Sequence, residues 1–156
     1  MAGFLDIKQG GRIRYNAVAA LGQTWSRGQV LVINSAEQLE LLNSNNINLS
    51  TSGLANGQVA GLAMETCVAA STGNVVQNTL VVLAGNTGSV LLGEAVVVTD
   101  NLSGTGGWIA GASRVYAQAG GNVSYNAASG LQVGVALSNP VSNGRLKFLF
   151  TPPTGV

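Results

Sequence analysis

The side chains able to do acid–base, nucleophilic or metal chemistry are few and scattered. Six carboxylates occur, at Asp6, Glu37, Glu40, Glu65, Glu94 and Asp100. Hydrolysis by paired carboxylates needs two of them facing one bond, one protonated and one ionised. No two stand in such a context; Glu37 and Glu40 flank a loop and read as solvated charge. The chain has no histidine, so a Ser-His-Asp arrangement cannot form and the commonest base and metal ligand is missing. The single cysteine, Cys67, sits in the run Met64-Glu-Thr-Cys-Val-Ala-Ala. That setting suits a small buried hydrophobe better than a nucleophile, and one cysteine allows no internal disulfide. Zinc sites of Cys and His are excluded by count, and no Asp-rich loop offers calcium a cage. Gly104-Thr-Gly-Gly107 lacks the lysine and the strand-to-helix setting of a phosphate loop, and reads as a turn. The expectation is a protein with no catalytic residues, no metal site and no cofactor.

Composition narrows the class further. The chain's 156 residues fit one domain with a sizeable core. Charged residues make up 8% of it, against roughly 25% in ordinary soluble domains. So little charge gives little mutual repulsion; burial in an assembly is the favoured account of it, beside a secreted protein or plain sampling of composition. Net charge is +1 with no basic run, which argues against a nucleic-acid partner. The longest apolar runs fall short of the roughly 20 residues of a membrane helix, so no membrane partner is expected. Asp6 interrupts the apolar Met1–Leu5 start, so no signal peptide is read and synthesis in the cytoplasm is expected.

The elements that would position any site are short strands. The organising stretch is Ser113–Ser138. It reads as three Val- and Tyr-rich strands separated by turns at Gly120–Gly121 and Gly130. Trp25–Ile33, Ser35–Leu42, Gln58–Met64, Val96–Thr99 and Arg145–Phe150 read as further strands, and Asn43–Asn56 as an Asn- and Ser-rich loop. Pro152 and Pro153 end the last strand.

The two halves match each other weakly. Trp25-Ser-Arg-Gly28 and Trp108-Ile-Ala-Gly111 share Trp-x-x-Gly. Leu39 and Leu41 stand 84 positions before Val123 and Tyr125 (123 − 39, 125 − 41). Gln58–Met64 resembles Gln132–Ser138 at a spacing of 74 (132 − 58), and Asn78–Leu83 resembles Gly144–Phe150. The ten-residue difference falls in the Asn-rich loop, where insertion costs least. The reading is a repeated β-unit, 25–83 and 108–150, with Trp25 and Trp108 as paired core anchors.

Met1–Leu21 reads as an extended N-terminal arm before a β-domain at 22–156. Lys8, Arg12 and Arg14 carry three of the seven positive charges, and Phe4 and Leu5 are apolar anchors. The competing reading of this segment is an edge strand with solvated charges.

From Gly130 to Phe150 the chain resembles the C-terminal end of capsid decoration (cement) proteins of tailed bacteriophages. The carriers are Leu-Gln-Val-Gly-Val-Ala-Leu-Ser138, then Asn143-Gly and Arg-Leu-Lys-Phe-Leu-Phe150. Ser113–Gln118 with Gly120–Gly121, and Gly57–Ala63 in the first copy, fit the same pattern. The resemblance implies an all-β fold, a small β-barrel of the β-tulip kind. It also implies a non-enzymatic homotrimer on the exterior of the virion capsid, cementing major capsid protein subunits. Candidate capsid contacts are Phe4, Leu5, Lys8, Arg12, Arg14 and Tyr15. The rival reading is a tail-associated or carbohydrate- or receptor-binding module with Trp25, Trp108, Tyr116 and Tyr125 as an exposed platform.

Overall fold

The computed structural model describes residues 3–11, 14–48, 53–54, 59–68, 87–104, 106–126, 130–140 and 143–151. Among them are thirteen β-strands and no helix. They are β1 (Leu5–Gly10), β2 (Arg14–Val18), β3 (Val30–Ile33), β4 (Leu39–Leu41), β5 (Ile47–Asn48), β6 (Gly53–Leu54) and β7 (Val59–Ala63). Then follow β8 (Thr87–Leu91), β9 (Ala95–Thr99), β10 (Arg114–Gln118), β11 (Val123–Ser124), β12 (Gly130–Ala136) and β13 (Leu146–Phe150). The first sheet runs β1-β9-β13-β12-β10-β11 and the second β2-β8-β7-β3-β4, all pairs antiparallel; β5 and β6 form a small hairpin. Among the described residues no continuous ladder closes either sheet into a barrel. Single parallel bridges, Ala19 to Leu39 and Leu102 to Val123, lie across the outer edges of β4 and β11.

The N-terminal segment is not an arm where it is described. β1 pairs with β9 as an edge strand of the first sheet, and β2 pairs with β8 as an edge strand of the second. The ladder slips between Ile7 and Gln9, leaving Lys8 in a bulge. Leu5 is buried in the main core, and burying such a side chain stabilises by about 1.5–3 kcal/mol. The competing edge-strand reading describes this segment correctly. The expected strand at Asn78–Leu83 lies outside the described residues, and Gly130 opens β12 rather than forming a turn.

The two sheets share one strand order. In chain order β2, β3, β4, β7, β8 occupy the same places as β9, β10, β11, β12, β13. The hairpin registers coincide at the 84-residue spacing: Val32 faces Glu40 and Ile33 faces Leu39, while Tyr116 faces Ser124 and Ala117 faces Val123. Their turns use the same bonds. Asn34 N donates to Gln38 O (2.9 Å) and Gln118 N to Asn122 O (2.8 Å); Glu37 N donates to Asn34 O and Gly121 N to Gln118 O, both 2.9 Å. In the two Trp-x-x-Gly motifs, Gly28 N donates to Ala63 O and Gly111 N to Ala136 O, both 2.8 Å.

The strand after each hairpin is offset from the sequence reading. Val30 faces Leu62 and Arg114 faces Val135, so Leu62 corresponds to Val135 rather than to Ala136. In this register Gly61 and Gly134 are equivalent, and each lies against the backbone carbonyl of its neighbour strand, Leu91 and Leu149. A Cβ at either site overlaps that oxygen. The β5–β6 hairpin falls inside the extra Asn-rich loop, and β1 adds a strand beside β9 that has no counterpart beside β2 among the described residues.

Two expected outcomes follow from the backbone. Gly61→Ala and Gly134→Ala each force strands apart and lower stability by about 1–3 kcal/mol, as overpacking does. Chemical denaturation measures it. Glu37 is the only non-glycine residue at positive φ (63°) among the described residues, at the position held by Gly121 in the other hairpin. A side chain there costs about 1–2 kcal/mol, partly offset by the chain entropy of glycine. Glu37→Gly therefore raises the melting temperature by a few degrees, on the order of 1–3 °C, read by calorimetry.

Candidate interaction surface

The residues singled out from the sequence separate into different environments. Leu5 belongs to the core and is unavailable as a surface anchor. Phe4 is half-buried under the Arg145 guanidinium, 3.9 Å from its ring centroid, a cation–π contact. Lys8 is exposed, with Nζ 2.7 Å from Asp6 Oδ2. Its hydrogen bond holds the Asp6 carboxyl below the usual carboxylate range. The depressed folded pKa means this pair contributes above the unfolded pKa of Asp6 and loses its effect as pH falls through the folded one. Both partners are well exposed, so the contribution is small and screened by salt. Tyr15 lies on β2 with its side chain partly in solvent. Arg14 starts β2, and Arg12 lies outside the described residues.

A polar knot explains why the N-terminal segment is fixed. Asp100 Oδ1 accepts from the backbone N–H groups of Phe4 (2.9 Å) and Gly3 (3.1 Å). Thr99 Oγ1 donates to Phe4 O (3.1 Å), and buried Asn101 donates from Nδ2 to Arg27 O (2.9 Å). The carboxylate is thus a structural acceptor, a role its isolated position in the sequence does not reveal.

The four aromatic residues of the rival reading do not form an exposed platform. Trp25 and Trp108 are both 2% exposed. Their indole N–H groups donate to backbone carbonyls of Glu65 (2.8 Å) and Gly104 (3.1 Å). Tyr125 stays at the surface, edge-on to Trp108 at 5.7 Å between centroids. Cys67 is buried, its thiol donates to Gln23 O at 3.6 Å, and burial pushes its pKa up; this is the environment of an inert packing thiol.

What the sequence did not single out is the outer face of the first sheet. Register aligns Val96, Leu149 and Val135 across β9, β13 and β12, all half-buried. Leu137, just beyond β12, is 40% exposed. A trough of about 530 Å³ opens here, lined by Lys8, Gln9, Val96, Leu137 and Lys147. Its lining combines two lysines and a glutamine with two aliphatic side chains. Lys147 makes no ion pair among the described residues. The strand alternation Leu146, Phe148, Phe150 inward and Lys147, Leu149 outward builds this face. Alternation alone marked Lys147 as outward, but the companion residues come from three other segments of the chain.

No protein-family model, curated protein or solved structure matches this chain.

Asp100→Ala removes the acceptor for two backbone donors. The expected loss is about 1–2 kcal/mol, from hydrogen bonds to a charged group near the surface. Asp100→Asn keeps one acceptor oxygen and loses less. Denaturant unfolding, with hydrogen exchange of the β1 amides rising first, checks this.

Proposed function

We propose that this chain is a structural virion protein: a homotrimeric capsid decoration protein that binds the outer surface of a tailed-phage head and cements its major capsid subunits. The single observation that carries the reading is the first sheet's outer face, a row of aliphatic side chains left half-uncovered by the chain itself. Such a face is suited to being covered in an assembly. The resemblance at Gly130–Phe150 points to the same role. In this reading the two sheets are copies of one β-unit, curled in the β-tulip manner.

Attachment to the shell falls to the β1–β2 region, where Tyr15 replaces the buried Leu5 as the contact. Three linked copies raise the effective affinity for a repeating shell without any new contact. Removing Met1–Arg14 is not a clean test, because it takes β1 and Leu5 out of the core. A tyrosine beside solvent is the better probe. Capsids of a tailed phage stripped of this protein are expected to bind the re-added chain and regain resistance to heat. Tyr15→Glu lowers occupancy about tenfold, the effect of about 1.4 kcal/mol at a contact. Co-sedimentation measures both. A chain that never pellets with capsids at any concentration sinks the reading.

A further inference from the structure

The two sheets have the same order, yet their equivalent faces are treated differently. Val30, Val32, Leu62 and Leu91 of the second sheet are 0–1% exposed. Register places Arg114, Tyr116, Val135 and Leu149 at the same positions in the first sheet. Those four are exposed or half-buried. The uncovered face borders the trough between Lys8 and Lys147.

A feature of opposite charge sits elsewhere on the molecule. Glu37 occupies the exposed tip of the β3–β4 hairpin, held at φ 63°. The matching turn of the β10–β11 hairpin carries Gly121 and is packed inside the chain: Val30 N donates to Gly121 O (2.9 Å), and Gly120 N donates to Leu42 O (2.8 Å). The Glu37 turn has no such seat within its own chain among the described residues. Strain of this kind is kept where a surrounding contact or a function requires the side chain.

We propose that the Glu37 hairpin tip of one copy seats in the Lys8–Lys147 trough of a second copy. This rests on the assembly reading above and names the partner as another molecule of the same chain. The carboxylate enters a trough lined by two lysines and two aliphatic side chains, where exclusion of water strengthens the charge-assisted contact. Lys8 is already engaged by Asp6, so Lys147 is the main partner. Tip and trough are different patches, so the contact is heterologous. Each copy offers one of each, and the set closes only as a ring, which suits a threefold assembly.

Sedimentation velocity on the full chain tests this, with near-UV circular dichroism confirming the fold of each variant. Wild type is expected to sediment as a trimer at micromolar concentration, with association weakening as salt is raised. Lys147→Glu and Glu37→Lys each weaken association at least about tenfold, and the double variant recovers most of the loss. Glu37→Gly raises the melting temperature and still weakens association, which separates relief of strain from loss of the contact. A wild type that stays monomeric, a Lys147→Glu variant that assembles as wild type does, or a double variant no tighter than the singles overturns the proposal. Charge-dependent trimers that ignore capsids would sink the decoration role and leave this contact standing. A wild type that stays monomeric in solution yet pellets with capsids would do the reverse.

Discussion

The middle of the second sheet, β3 and most of β7, is buried on both faces, and much of the molecule follows from that. Successive residues of β3 point into different clusters: Val30 and Val32 into the main core, Leu31 into a second core with Trp25, Leu39, Ala63, Cys67 and Val90. A strand covered on both sides cannot alternate between apolar and polar. The run Val-Leu-Val-Ile is the consequence. Among the described residues, charges fall in turns, at strand ends, on the edge strand β4 (Glu40) and on the sheet with a free side. Part of the low charge content therefore has an internal cause, a two-sided middle layer. The sequence reading had assigned it to burial between molecules.

Much of the strand pattern was legible because hairpins are local. The Trp-x-x-Gly motifs and the 84-residue spacing fix where β3–β4 and β10–β11 lie, and their turn bonds repeat residue for residue. The pair of indoles was rightly read as internal. Legibility failed where long-range contacts decide. β1 carries Asp6, Lys8 and Gln9 and ends in glycine, so its polarity argues for a tail. Its place is set by β9 and by a carboxylate 96 positions away from Phe4. The bulge at Lys8 also breaks the alternation that would have marked a strand. β5 and β6 are two residues each, below what periodicity can detect.

The trough was hidden for a related reason. Lys8, Val96, Leu137 and Lys147 come from four strands or strand ends, and no spacing in the chain links them. Glu37 is a different case. Aligned at 84 positions, one hairpin carries glycine and the other glutamate at the same turn position. That mismatch stands in the sequence itself. Only the backbone angle turns it from a tolerated substitution into a conformation held against its preference.

The bulge in β1 has a further consequence. A flat, regular strand at the margin of a sheet invites another chain to continue the ladder, and repetition of that step makes fibres. β1 places a lysine out of register at its middle and an ion pair beside it. The margin of the first sheet is thereby made a poor template. The bulge thus removes one of the margins along which a protein this poor in charge could polymerise into filaments.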